Sequence, residues 1–463
     1  MSEDAFSVLT PLFALALGAL VVLVLEAAGT PIGARKIGAR VHLVFIALAA
    51  VVIAAIEVAA RFTPATASGP LFVVDVATRV GALLVLVVLA LALVVSSAEL
   101  ASGDGDRGEV TASMLFAVTG ELVIVLANDL VMVFVGALLS MVAGFALVVV
   151  DRRDGRAIEA AVKHVVAGAF LLVVVGLGAA TLALETASTS FDALRGAHGL
   201  ASLLVVVFAL EGMLAFPLHV ARTDIVTGAP SFAGVILVGA RAISATVLLT
   251  HVAGAGALEA APFTEVLPLL VVVGLVVPPL VAVDQREIPR AAAHQQVAHM
   301  AVALAAVLLA GERASVLAPL AAFVAASSTL GAMALFHTIP PVRRGLSWEL
   351  WSGAGRAHPF AAAALVIFLA SSCALPLFPG LALRLEAASG ASDLVSLVVV
   401  LASPLVLLCP LRLALFMFAK SREARTVEPR ATGRVGIVVV IVLALLVSIA
   451  LARPSVSAFL VGA

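Results

Sequence analysis

Residues 199–220 read GLASLLVVVFALEGMLAFPLHV. At 1.5 Å per residue, a run this long and apolar spans the roughly 30 Å hydrocarbon core of a bilayer. Lipid offers no water to backbone amides, so such a segment must pair its own backbone groups as a helix. It is also too long and too continuous for a barrel strand. One ionisable group, Glu211, lies in its interior, and Pro217 falls near its end. Proline removes an amide donor and clashes with the preceding turn, so the helix is expected to break at Phe216-Pro217-Leu218-His219.

The same pattern recurs along the 463-residue chain. Apolar runs near 8–28, 41–60, 72–98, 109–127, 130–150, 158–184, 199–220, 228–253, 262–284, 290–311, 315–337, 358–388, 393–418 and 434–453 predict about fourteen transmembrane helices. The chain is 63% hydrophobic and 12% charged, against about 45–50% and about 25% in soluble domains. This excludes a soluble enzyme and points to an all-α polytopic membrane protein. A net charge of −1 gives no basic footprint for nucleic acid. Cys373 and Cys409 both lie in apolar runs and form neither an iron–sulfur nor a metal-ligand pattern. No glycine-rich dinucleotide turn follows a strand, so no cofactor or metal is expected. The first residues include Glu3 and Asp4 and no basic group, unlike a cleaved signal peptide, so the first span is expected to remain.

Orientation follows from the basic residues. Of the 27 lysines and arginines, eighteen fall in loops after odd-numbered spans, including Arg152, Arg153, Arg156, Arg222, Arg286 and Arg290. Four (Arg61, Arg195, Arg313 and Arg453) fall on the other side, and five lie within spans. The bias predicts a multi-pass protein of the cell inner (plasma) membrane with both termini outside.

Span 12 contains a second break, Pro376-Leu377-Phe378-Pro379-Gly380. The two breaks lie five spans apart, and an odd offset reverses direction in the membrane. Spans 4–8 (108–257) and 9–13 (258–420) therefore read as two inverted five-helix repeats, after spans 1–3 (1–107) and before a last span in 421–463. Transporters built this way place their pathway beside the broken helices.

A charge at the bilayer centre costs about 2.5–3.5 kcal/mol on insertion scales. Yet the spans hold Arg79, Lys163, Arg241, Arg384 and Arg412 together with Asp75, Glu121 and Glu211. Their joint presence reads as a polar axis passing protons through intervening water. Some have plainer readings. Arg412 can snorkel toward Lys420, Asp75 and Arg79 are spaced as an i,i+4 pair, and His251 reads as a residue at a helix end. Glu159 and Lys163 share the i,i+4 spacing. Glu121 and Glu211 have no opposite charge nearby in sequence, so each must pair across helices or stay protonated. The segment Arg290-Ala-Ala-Ala-His294-Gln295-Gln296-Val-Ala-His299 opens an apolar helix with four hydrogen-bonding side chains, a density that suits a hydrated channel or an interhelical contact.

Five motifs run in order from about residue 72 to 388: Ala127-Asn128-Asp129-Leu130 with Phe134-Val-Gly136; Glu159-Ala-Ala-Val-Lys163-His-Val; Pro217-Leu-His219 with Asp224 and Gly228-Ala-Pro230; Arg290 to His299-Met300; and Pro376-Leu-Phe-Pro-Gly380-Leu-Ala-Leu-Arg384. Together they resemble the antiporter-like membrane-arm subunits of respiratory NADH:quinone oxidoreductase (complex I), most closely the subunit N type. That resemblance implies a fourteen-helix fold and one proton channel in a larger complex, driven by redox chemistry in other subunits. Lys163 matches the family's lysine on helix 6. Arg241 falls at, or one residue from, the lysine on helix 8, Arg384 replaces the terminal lysine on helix 12, and His219 matches the histidine after the helix 7 break.

Two family charges are missing: the helix 5 glutamate would fall near Leu138 and the helix 7 lysine at Gly212. Glu121 and Glu211 are the candidate replacements. Arginine at 241 and 384 is a permanent cation, suited to setting a field rather than carrying a proton. The expected pathway is thus Lys163, Glu121, Glu211, His219, Arg241, His294, His299 and Arg384. Of these, Glu121, Lys163, Glu211, Arg241 and Arg384 are expected to line up along the bilayer midplane. The expected partners are other membrane-arm subunits and lipid, with any enzyme activity belonging to the complex. The alternatives are a subunit of a related multi-subunit cation/proton antiporter or membrane-bound hydrogenase, or a degenerate structural subunit that no longer conducts.

Overall fold

The computed structural model of the chain describes residues 3–29, 37–62, 69–99, 107–150, 154–196, 199–259, 262–336, 347–357, 359–373, 375, 378–389 and 394–419. The expected span at 434–453 lies outside the described residues, as do Pro376 and Leu377. The described chain is all α. Helices α1 (Glu3–Gly29), α2 (Ile37–Arg61), α3 (Val76–Glu99), α4 (Arg107–Leu126), α5 (Leu130–Val148) and α6 (Gly155–Thr186) cover the first six expected spans. The seventh is split into α7 (Leu200–Gly212) and α8 (Val220–Gly228). Then follow α9 (Ser231–Gly254), α10 (Phe263–Asp284), α11 (Ile288–Leu309) and α12 (Ala314–Phe336), a split pair α13 (Pro359–Ser371) and α14 (Pro379–Ala388), and α15 (Leu394–Phe418). Ten of the described helices are long and apolar enough to cross a membrane, and Leu200–Gly212 and Ala362–Ser371 are shorter apolar helices. The chain is a multi-pass membrane protein.

Which helices lie inside follows from burial. The Ser231–Gly254 span is 94% buried and Leu394–Phe418 only 33%, so α9 is central and α15 peripheral. Helix α9 packs on α3, α4, α7, α11 and α12. The outer face of α6 presents Val162, Val166, Phe170, Val173 and Leu177, all exposed. Exposed apolar side chains at helical spacing are what a lipid-facing surface requires.

The helix ends define two opposite faces. On one, Val73 N–H donates to Leu126 O and Leu130 N–H to Thr189 O. The start of α3, the end of α4, the start of α5 and the end of α6 therefore meet there. Asp129 caps α5 by accepting from Val131 N–H at 2.7 Å, and Thr189 Oγ1 donates to its second oxygen at 2.5 Å. On the other face lie the end of α5 and the start of α6, where Arg156 reaches Glu287 just before α11 at 3.4 Å.

Both proline breaks occur where the sequence predicts them. After Gly212 the chain turns through Leu214, which adopts a left-handed φ of 56°, and a cis Phe216-Pro217 bond. The freed amides find local partners: Leu214 N–H donates to Glu211 O and Ala215 N–H to Leu210 O. At the second break, Phe378 is an extended N-cap and Pro379 takes the first helical turn of α14, where its missing amide costs nothing. Gly380 lies so close to Ser372 O that a Cβ there would overlap it. A further irregularity has no sequence signal: residues Val235–Ala240 of α9 form a π-helical turn directly before Arg241.

Candidate functional site

Glu121, on α4, is 2% exposed. Gly120 and Gly136 let α4 and α5 touch backbone to backbone, since a Cβ on Gly120 would come 2.5 Å from Gly136 O. That approach brings Ser140 Oγ to donate to Glu121 Oε1 at 2.5 Å, while Ser244 Oγ of α9 donates to Oε2. Arg241, one turn before Ser244 and also buried, places Nη1 3.6 Å from Oε2. Its guanidinium lies over the Phe208 ring of α7 at 4.3 Å, a cation–π contact strengthened by exclusion of water.

Glu211 finds its counter-charge eleven residues on. Arg222 of α8 donates Nε to Oε1 at 2.8 Å and Nη2 to Oε2 at 3.0 Å. This bidentate geometry fixes orientation as well as charge. Its remaining Nη1 donates to Leu237 O at 2.8 Å, a carbonyl inside the π-helical turn. The two pairs lie side by side: a Cβ on Gly212, next to Glu211, would come 3.0 Å from Arg241 Nε. His164, buried on α6, bonds Met141 O at 3.2 Å and is coupled to Arg222, Glu211 and Arg241. Two carboxylates thus offset two permanent cations in a water-poor interior.

Further buried polar groups follow where the two halves meet. His219 lies one turn before Arg222, and its ring meets His294 of α11 edge-on at 5.3 Å. Next to His294, Gln295 Nε2 donates to Leu369 O at 2.6 Å and lies 3.4 Å from both His299 Nε2 and Cys373 Sγ. Arg384, on α14 where that helix packs on α11, is fully buried. It donates Nη1 to Val399 O at 3.1 Å. Several buried polar atoms along this stretch have no protein partner: His219 Nδ1, His294 Nδ1, Gln295 Oε1, both amide atoms of Gln296, His299 Nδ1, and Arg384 Nε and Nη2. Buried groups of this kind are rarely left unbonded, and water is the usual partner. The arrangement suits a hydrated path.

Of the expected residues, Glu121, Arg241 and Glu211 are brought together with Arg222, His219 meets His294, His299 lies beside Gln295, and Arg384 is buried on α14. Lys163 joins none of these. Its side chain is 40% exposed and its Nζ bonds Asp224 at 2.7 Å and Glu159 at 2.8 Å. Arg290 reaches the other oxygen of Asp224 at 3.6 Å, so Lys163 belongs to a surface network joining α6, α8 and the start of α11. Successive helical residues point roughly 100° apart, and it is His164, not Lys163, that faces the axis.

Two other sequence expectations change. Arg222, counted among cytoplasmic loop charges, is 7% exposed and part of the interior, because after the proline break α8 packs on α6 and α11 and carries the guanidinium in to Glu211 and Leu237 O. Asp75 pairs with His251 at 3.2 Å rather than with Arg79, which donates to Ala59 O at 3.3 Å. Arg412 lies over the Trp348 ring at 4.4 Å. Ser140, Ser244 and Arg222 were missed by sequence and carried no motif, although Arg222 stands five residues after Pro217; His164 lies within the Lys163 motif but was not assigned to the pathway. Among the described residues no group of three or more His, Cys, Asp or Glu is placed to hold a metal ion.

The family model for NADH:quinone oxidoreductase/Mrp antiporter transmembrane subunits matches residues 127–408. NADH-quinone oxidoreductase subunit N 1 of Sorangium cellulosum is 28% identical over 297 residues, 58% of this chain and 58% of that protein. Subunit N of Methylobacterium nodulans is 27% identical over 325 residues, 67% of this chain and 66% of that protein. The chain therefore matches less than two thirds of the length of these relatives. In fold, it is similar to a chain of respiratory complex I from Thermus thermophilus, with a TM-score of 0.76 at 23% identity, covering 95% of this chain and 97% of the other. A chain of the Mrp complex from Dietzia sp. gives a TM-score of 0.82 at 15% identity, covering 100% and 96%.

Proposed function

The chain belongs to the NADH:quinone oxidoreductase/Mrp antiporter transmembrane family, and from that premise we propose that it is a proton-translocating membrane-arm subunit, of the subunit N type, of NADH:quinone oxidoreductase. It has no redox centre of its own in this reading; electron transfer in other subunits drives it, and its partners are the neighbouring membrane-arm subunits and lipid. The observation that carries the proposal is the interior cluster in which Glu121 meets Arg241 and Glu211 meets Arg222, followed in the second half by the His219–His294 and Gln295–His299 contacts and the buried Arg384.

The chemistry divides between fixed and mobile charge. Arginine stays ionised across the physiological range, so Arg241, Arg222 and Arg384 set the field. The carboxylates and imidazoles can gain and lose protons, and they are the carriers. The halves 108–257 and 258–420 act as inverted repeats, each with a broken helix beside these carriers. Lys163 takes protons from the face rich in basic loops, which we assign to the cytoplasm, with both termini outside. Glu121 fills the role of the carboxylate missing at Leu138: it stands on α4 rather than α5 but is bonded to Ser140, two residues along. This retention of charge weighs against the degenerate, non-conducting alternative.

The test is proton transport by the intact complex in liposomes with Glu121→Gln and Arg241→Ala. Each removes one side of a buried pair, so the amount assembled is expected to fall, and transport per assembled complex is expected to be lost. Normal transport in both would end the conduction reading.

A further inference from the structure

Asp75 and His251 form a second titratable cluster, away from that interior cluster, on the face opposite Lys163. Asp75 stands just ahead of α3, where one oxygen accepts from Thr78 N–H at 2.8 Å. His251, in the last turn of α9, places Nε2 3.2 Å from Asp75 Oδ2 and 3.4 Å from Thr78 Oγ1. The two side chains differ sharply in exposure, 45% for Asp75 and 7% for His251. One end of the pair meets solvent and the other is inside. His251 Nδ1 is buried and has no partner. The charged neighbours point elsewhere: Arg79 donates to Ala59 O, and Arg195 of the segment packed on α9 donates Nε to Ala255 O at 3.2 Å. Along α9, His251 lies seven residues from Ser244, the hydroxyl bonded to Glu121, about 10 Å by helical rise. Thr246 and Thr250 fall between them.

We infer that Asp75 and His251 are the mouth through which the Glu121–Arg241 half exchanges protons with the aqueous phase on the face opposite Lys163. This rests on the proton-translocation reading. A proton arriving from inside binds Nδ1, and the Nε2–H bond then breaks to give its proton to the Asp75 carboxylate. Asp75 releases it to water, and rotation of the imidazole restores the starting tautomer. No electron moves and no other reactant is needed; uptake runs the same steps backwards. A histidine bridging a carboxylate to an interior is suited to this because each nitrogen can serve a different side. The plainer alternative is a helix cap with a bracing hydrogen bond between α3 and α9.

Proton transport by the intact complex in liposomes separates the two. Asp75→Asn and His251→Gln keep size and much of the hydrogen bonding. Each is expected to slow transport several-fold at unchanged assembly, with Glu121→Gln run alongside. Wild-type transport in Asp75→Asn and His251→Gln, while Glu121→Gln transports nothing, overturns the mouth and leaves the conduction reading standing. Wild-type transport in all three overturns both. Should the first two fail to assemble, Val76→Cys, which leaves Asp75 in place, is labelled after assembly with a membrane-impermeant, negatively charged thiol reagent. The native Cys373 and Cys409 are buried and give little background. Labelling from the face opposite that which labels Arg156→Cys is expected to inhibit transport. Complete labelling without inhibition, or labelling from the Arg156 face, overturns the proposal.

Discussion

Gly212 and Arg241 compete for one space. A Cβ on Gly212 would come 3.0 Å from Arg241 Nε and 2.6 Å from Ala245 Cβ. A side chain at 212 would meet Ala245 first and then the Arg241 guanidinium, which lies over the Phe208 ring.

That coupling is testable by a double-mutant cycle. Gly212→Ala overpacks a tight contact and is expected to cost about 1–3 kcal/mol. Gly212→Lys costs more, and adding Arg241→Ala recovers part of the loss. Thermal unfolding in detergent and proton transport read the cycle; strictly additive effects would show that the two residues do not share the site.

Glu211→Gln leaves the Arg222 guanidinium buried without its counter-charge. Breaking a buried pair from one side typically costs about 3–5 kcal/mol. The variant is expected to unfold at lower temperature or to reach the membrane in reduced amount, and Glu211→Gln with Arg222→Met is expected to recover stability. A single variant as stable as wild type would place the pair in water.

Lys163→Ala is expected to abolish transport while leaving assembly and stability intact, since its bonds to Asp224 and Glu159 lie at a half-open surface where ion pairs add little to folding. Asp224→Asn should weaken transport in the same direction. Unchanged transport in Lys163→Ala removes that residue from the path.

Gly380→Ala introduces a methyl group against Ser372 backbone. Neither side can yield as a flexible side chain would, so the loss belongs at the upper end for point mutants, about 4–5 kcal/mol. The expected outcome is failure of the chain to accumulate in membranes, read by immunoblot of membrane fractions. Normal accumulation would show that the break can open by rearranging its backbone.

The reading of Lys163 shows where sequence reasoning reaches its limit. Its depth, two turns into α6, is legible from position alone, but its rotation is not. Rotation is set by how α6 packs on α5, α7 and α8, and it turned the lysine to the rim and His164 to the interior. Arg222 is the converse case. Charge counting assigns it to a loop, and only the packing of α8 after Pro217 shows it closing on Glu211.

The sequence by itself determined the number and order of the spans through residue 418, both breaks, and which side chains had to be accommodated in oil. These are local properties: a backbone amide in lipid must bond within its own helix, and a proline cannot. The tertiary structure alone decided the partners, joining Glu121 to Arg241, Asp75 to His251 and His219 to His294 across long stretches of chain. Such pairings depend on the rotation and depth of each helix against its neighbours, which packing sets and no single segment encodes.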